Sequence, residues 1–161
     1  ENSKRPIDRE QVAAEQKRFE EVMKPKDGRV SPAQVRERLN KTMWENAAIT
    51  RTEETLARAE AEISRIKAEM LPKLGVADGS TRQYNKEVVE ALETVNMVRV
   101  AEILVKAARI RKESRGAHYR LDYLKRDDEN WLKHIVWSLE NGVPAPRFEP
   151  VRMTLIAKPT S

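Results

Sequence analysis

Ser114, His118 and Asp122 stand at intervals of four within the stretch Glu113 to His134, ESRGAHYRLDYLKRDDENWLKH. A hydroxyl, an imidazole and a carboxylate are the three parts of an acyl-transfer triad, in which the imidazole takes the hydroxyl proton and the carboxylate orients the imidazole. That chemistry also needs a strained nucleophile turn and oxyanion donors, and no such pattern surrounds Ser114. The three types are a coincidence of composition. His118 and His134 are the only histidines, and neither zincin nor deaminase spacing surrounds them. Hydrogen-bonded structural histidines are the plainer reading. No catalytic residue and no metal ligand is assigned.

Two other constellations remain. Glu53, Glu54, Glu60, Glu62 and Glu69 supply carboxylates, but Arg58, Arg65 and Lys67 interleave them on a solvated helix face. The basic run Lys106, Arg109, Arg111, Lys112, Arg115, Arg120, Lys125 and Arg126 has the residue types of a phosphate-binding surface. It has an equally physical alternative: cations near a helix C-terminus offset the helix dipole, and Asp122, Asp127 and Asp128 lie within reach as bidentate partners. Sign alternation this dense points to an ion-pair network that stiffens a loop.

The glycines exclude more than they offer. Gly28, Gly75, Gly79, Gly116 and Gly142 are all there are, and none are spaced for a GxGxxG turn or a Walker loop. Both motifs need the missing side chain so that backbone can approach phosphate. No nucleotide- or flavin-binding fold is expected within this chain. The absence of cysteine excludes disulfides, thiol nucleophiles and cysteine-held clusters here.

Four helices have to position these residues. One is expected from Ile7 to about Lys24, broken by Pro25 and Gly28. Ser31 caps the second, with Pro32 at its first position, and Val35, Leu39, Met43 and Ala47 recur every fourth residue, widened by Trp44. Thr52 caps the third, which reaches Leu71 before Pro72 along a seam of Leu56, Ala59, Ile63, Ile66 and Met70. Asn85 caps the longest, from Lys86 to about Arg115. It is apolar nearly all round, so it is expected to be buried by several partners, and Gly116 stands where its C-terminus would take a left-handed residue. Asp127 or Asp128 caps a short helix. HIVWSLENG and RFEPVRMTLI read as a hairpin turning at Asn141-Gly142, its strands kept short or at an edge by Pro144, Pro146 and Pro150.

The fold class expected is therefore mainly α: a bundle of three to four helices with a small irregular or β appendage at the C-terminus. It divides into an N-terminal helix and linker (residues 1–29), a bundle core (30–116) and a signature loop, short helix and extended tail (117–161), all in one domain. The 161 residues, net charge of +5 and mean hydropathy of −0.73 fit one soluble domain. The start at Glu1, in mid-sequence, reads as a piece of a longer protein.

The stretch from Glu113 resembles the signature of the C-terminal helical domain of succinate dehydrogenase and fumarate reductase flavoprotein subunits. That signature has Glu-Ser-Arg-Gly-Ala-His (Glu113 to His118), an arginine (Arg120), an aspartate (Asp122) and an aromatic (Tyr123). Arg-Asp-Asp-x-Asn-Trp follows (Arg126, Asp127, Asp128, Asn130, Trp131), then a histidine (His134). The likeness runs back through VRERLNKTMWENAAITRTEETLARAEAEI and YNKEVVEALETVNMVRVAEILVKAARIRKESRG, covering about residues 30–151. Aspartate oxidases and adenylylsulfate reductase flavoprotein subunits share a looser form. Leu124 departs, standing where the family usually has proline after the aromatic.

The resemblance implies a non-catalytic domain packed against the flavin domain of a parent chain, with an iron–sulfur subunit nearby. The parent would interconvert succinate and fumarate by hydride transfer to FAD. FAD would belong to the parent, no cofactor to this chain, and the membrane would be reached only through partner subunits, at the cytoplasmic face. Arg115, Gly116, His118, Tyr119, Arg120, Asp122, Arg126, Asp127, Asp128 and Trp131 would form the docking network, with Tyr119 and Trp131 turned to the partner. The rival reading is a stand-alone basic helical module for nucleic acid or an acidic protein.

Overall fold

Ser31 accepts a hydrogen bond from the Gln34 amide while the Gln34 side chain reaches back to the Ser31 amide, so two orphan donors of the helix start are satisfied reciprocally. This capping box opens α2 (Pro32–Ala47) in the computed structural model, which describes residues 7–154. Before it, Asp8 caps α1 (Arg9–Met23). After it come the two-residue strand β1 (Thr50–Arg51) and α3 (Glu53–Arg65), started by a second box between Thr52 and Thr55. The α-helical ladder then widens into a π turn, Ile66–Met70, and closes in a 3-10 turn, Leu71–Lys73. Pro72, which has no N–H to offer the α-helical ladder, stands in that 3-10 turn.

Asn85 caps α4 (Lys86–Ile110), the longest element. Strand β2 (Tyr119–Arg120), the single-turn helix α5 (Asp128–Trp131) capped by Asp127, and the hairpin strands β3 (Lys133–Glu140) and β4 (Val143–Pro150) complete the order. The core lies where α2, α3 and α4 meet, with Val35 and Leu39, Leu56 and Ile63, and Val88, Val98 and Val105 almost free of solvent. The expected a mainly α bundle with a small β appendage is what the chain forms.

Two expectations change and a third is narrowed. Helix α4 stops at Ile110 rather than near Arg115, because Arg111 is extended. Gly116 does take a positive φ, +56°, but in a turn: Arg115 and His118 exchange backbone hydrogen bonds across Gly116 and Ala117, which puts the left-handed residue first in a type II′ turn. Second, α4 packs on α1, α2 and α3 without being covered all round. Val100 is 63% exposed and Leu104 42%, beside Met97 and, from α2, Met43 and Trp44. Third, of the two outcomes expected from the prolines, short strands or edge strands, the second holds: the hairpin strands are eight residues each and both are edges of a two-stranded sheet. The expected return strand's Leu155 and Ile156 lie outside the described residues.

Candidate functional site

The signature stretch is held by a feature absent from the sequence reading, a two-residue parallel pairing of β1 with β2. Thr50 faces Tyr119 and Arg51 faces Arg120, and the Leu121 amide donates to the Arg51 carbonyl at 2.8 Å. Segments nearly seventy residues apart in sequence are thereby fixed side by side. Each strand delivers an arginine to a helix end. Arg51 Nε donates to the Ala47 carbonyl at 3.0 Å, at the end of α2. Arg120 Nη1 donates to the Ala108 carbonyl at 2.8 Å, in the last turn of α4. A cation on those unpaired carbonyls satisfies acceptors and opposes the dipole, which is the work that Gly116 was expected to do.

Arg120 has no solvent exposure, so its charge needs a partner. Asp122 is that partner, bidentate at 2.7 Å to Nε and 2.7 Å to Nη2. The same carboxylate accepts the Glu53 amide at 2.9 Å, at the N-terminus of α3, where an anion is favoured. The Arg120 hydrogen bond, assisted by that Glu53 amide, holds the Asp122 carboxyl down at about 2. One ion pair thus joins the C-terminus of α4 to the N-terminus of α3. Arg109 adds a second tie between these helices, to Glu53 and Glu60.

Glu113 is the hub of a second cluster, which site selection from the sequence missed although the residue opens the signature. Its carboxylate is fully buried. It accepts from Arg111 Nη1 at 2.6 Å, Arg115 Nε at 2.8 Å, Arg115 Nη2 at 3.0 Å and the Asp127 amide at 2.9 Å. Burial pushes its pKa up, but these donors outweigh burial and leave it lowered. Arg115 reaches on to Asp128 at 2.6 Å, which also receives Arg126. Asp128 lies at about 2, drawn down first by Arg126 and then by Arg115. The signal available in sequence was a carboxylate flanked by Arg111 and Arg115 two residues away on either side.

His118 is the link between the arginines. Its Nδ1 lies 2.9 Å from Arg51 Nη1 and its Nε2 3.2 Å from the Arg111 carbonyl. Arg51 can only donate and the carbonyl can only accept, which assigns a neutral imidazole with its proton on Nε2. Burial lowers its pKa, with Arg51, Arg120 and Arg111 adding repulsion. Ser114 Oγ instead bonds the Arg120 amide and the Tyr123 carbonyl, so Ser114, His118 and Asp122 do not assemble a triad. Ser114 also closes the turn after Arg120 that contains Leu124, through its amide to the Lys125 carbonyl. Among the described residues, no three His, Cys, Asp or Glu side chains gather as a metal set.

The aromatics divide. Tyr119 is exposed, as are Leu121 and Leu124. Trp131 is half-buried: Arg111 and Lys133 lie over its ring at 5.4 and 4.8 Å, and Phe148 meets it edge-on at 6.2 Å. The basic run is largely neutralised from within. Lys106, Arg109, Arg111, Arg115, Arg120 and Arg126 are all in ion pairs, which removes most of the single-sign field that a phosphate backbone would need.

Residues 36–161 match the family described as "Fumarate reductase flavoprotein C-term". Over 135 residues the chain is 35% identical to the fumarate reductase flavoprotein subunit of Haemophilus influenzae, covering 83% of this chain and 22% of that protein. It is 36% identical over 140 residues to the succinate dehydrogenase flavoprotein subunit of Rickettsia conorii, covering 86% and 23%. Among solved structures, a chain of E. coli quinol fumarate reductase superposes with a TM-score of 0.86 at 25% identity, over 97% of this chain and 27% of that one. The chain spans about a quarter of the length of the relatives it matches.

The chain belongs to the C-terminal domain family of fumarate reductase and succinate dehydrogenase flavoprotein subunits.

Proposed function

We propose that this domain is the C-terminal part of a subunit that interconverts succinate and fumarate, and that its task is to dock, not to turn over substrate. FAD would sit in the preceding part of the parent polypeptide and take hydride there, passing electrons to an iron–sulfur subunit. The complex would be peripheral, at the cytoplasmic face of the membrane and joined to it through partner subunits. Among the described residues no helix is long and apolar enough to cross a membrane.

The observation that carries this reading is the uncovered face between α2 and α4. Trp44 is 76% exposed, and Met97, Val100 and Leu104 continue its apolar surface. Contiguous apolar surface of this kind marks a docking site, and relatives about four times longer supply the missing mass. The signature loop would form a second contact. Arg115, Gly116, His118, Arg120, Asp122, Arg126, Asp127 and Asp128 hold its backbone, and Tyr119 with Leu121 offers apolar surface from it. Trp131, with Arg111 and Lys133 over its ring, would brace the loop.

The test is Val100→Asp with Leu104→Asp in the full parent polypeptide, assayed for bound flavin, for succinate-dependent dye reduction and for resistance of the domain junction to protease. Both side chains already meet solvent in this domain, so its fold should survive. Docking through this face predicts rapid cleavage and loss of turnover. Wild-type flavin content, turnover and protease resistance would exclude the face as the contact.

A further inference from the structure

The β3–β4 hairpin is an amphipathic ribbon with one edge closed and the other open. Its two-residue turn has positive φ at Asn141 and Gly142, 52° and 80°, the I′ geometry that makes Glu140 and Val143 a hydrogen-bonded pair. Alternation along an antiparallel ladder then makes Leu139–Pro144, Trp137–Pro146, Ile135–Phe148 and Lys133–Pro150 the non-hydrogen-bonded pairs. Amides of non-hydrogen-bonded residues point away from the partner strand. On β4 those positions are Pro144, Pro146, Phe148 and Pro150, so only Phe148 can donate outward. Proline on an edge strand blocks strand addition, and β4 carries it at three of the four positions that matter.

On β3 the equivalent positions are Lys133, Ile135, Trp137 and Leu139, and none is proline. The Lys133 carbonyl is taken by Arg111 Nη2 at 2.7 Å, which confirms the outward direction. Among the described residues the outward amides and carbonyls of Ile135, Trp137 and Leu139 bond to nothing else. A separate observation lies on the same strand: the Trp137 indole N–H is buried and has no acceptor, where a buried indole N–H ordinarily has one. Finally, the ribbon is not propped by the bundle. Its strands pack chiefly on each other, Leu139 is 72% and Phe148 48% exposed, and two strands alone are marginal in water.

We infer that the outer edge of β3, from Ile135 to Leu139, takes up an extended segment of the parent polypeptide preceding this domain, as a third strand. The inference rests on the function proposed above. The occupant is chosen because the relatives carry about three quarters of their length outside the part matched here. The ribbon is also rooted beside the Arg111–Glu113 cluster, so it is continuous with the signature loop. Strand addition gives main-chain hydrogen bonds for affinity and places alternate side chains of the guest beside Ile135, Trp137 and Leu139.

The experiment is amide hydrogen exchange on the parent polypeptide without its partner subunits, with flavin absorption measured on the same sample. The outward amides of Ile135, Trp137 and Leu139 should exchange about tenfold or more slowly than the outward amide of Phe148, which serves as the internal control. Leu139→Pro removes an outward donor without touching the β3–β4 ladder, as Pro144 opposite already does. It should leave the inward amides of Val136 and Ser138 protected and raise exchange at Ile135 and Trp137 toward that of Phe148. Equal exchange on both edges, with flavin bound, overturns the inference alone. Protection that rises with protein concentration assigns the edge to a second copy and overturns it. Protection only on adding an iron–sulfur subunit does the same. A preceding polypeptide that binds no flavin overturns the functional proposal instead.

Discussion

Arg51 and Arg120 are register partners in the β1–β2 pair, and each seals the C-terminal end of a different helix, α2 at Ala47 and α4 at Ala108. Two cations brought this close repel each other, and the chain separates them chemically. Asp122 takes Arg120 as a bidentate ion pair, while Arg51 faces neutral acceptors, the Ala47 carbonyl and His118 Nδ1. Stability and pH response both follow from that division.

Arg120→Ala removes the cap of α4 and leaves the Asp122 carboxylate with only the Glu53 amide. Breaking a buried pair on one side costs about 3–5 kcal/mol, to be read from the urea midpoint of the domain. Arg120→Lys should recover only part of this loss, because an ammonium cannot hold both Asp122 oxygens and the Ala108 carbonyl in one plane. The Arg120→Ala, Asp122→Ala double variant should be less destabilised than the sum of the singles. Strict additivity would mean that the pair is not coupled.

Glu113→Gln keeps the shape of the hub and removes its charge. Arg111 and Arg115, both partly exposed, would then share a neutral acceptor that is itself fully buried, at a cost of about 3 kcal/mol. The expected readout is early loss of the α5 and hairpin region in native-state hydrogen exchange, ahead of the α2–α3–α4 core. Simultaneous opening of both regions would show that Glu113 does not anchor the tail separately.

Acid should act in two windows. His118 has a lowered pKa in the folded chain, so the unfolded chain binds its proton first as pH falls. Stability conferred by the neutral imidazole is complete above the ordinary histidine value of about 6.5, and it declines below that until the lowered folded value is reached. Asp122 and Asp128 are both held at about 2. Their contribution is complete above about 3.9 and is lost as pH falls through 2. His118→Gln, with an acceptor and a donor but no titration, should flatten the upper window and leave the lower one. An unchanged slope below pH 6.5 in that variant would place the titrating group elsewhere.

Helix starts were the most legible part of the fold, because Ser31, Thr52 and Asn85 each act on the amide three residues away and their effect is local. Helix ends were less so. The end of α4 is decided by Arg120, ten residues beyond Ile110 and returned by a turn, and no local propensity reports that. The signature residues were identifiable as a charged network from their sign alternation, but the β1–β2 pairing was not: two residues paired across the chain carry no periodicity. The uncovered side of α4 shows the same limit. An all-round apolar pattern reports how much burial a helix wants, and says nothing about whether the partner lies in this chain.

Gly79 shows the limit at a single atom and yields the last prediction. In sequence it is one glycine of a polar loop, with no motif to mark it. In the fold, a Cβ at Gly79 would lie 1.9 Å from the Met23 carbonyl oxygen, at the C-terminal end of α1. A real Cβ cannot share that space, and the obstacle is backbone, which cannot swing aside. Gly79→Ala must therefore push the loop before α4 away from α1, at a cost of about 3 kcal/mol. Gly116 and Gly142 have nothing within 4 Å of a Cβ, so alanine there meets only the strain of positive φ, about 1 kcal/mol. Urea midpoints of Gly79→Ala, Gly116→Ala and Gly142→Ala should rank the first well below the other two. Equal midpoints would mean that the loop does not pack on α1 this closely in solution.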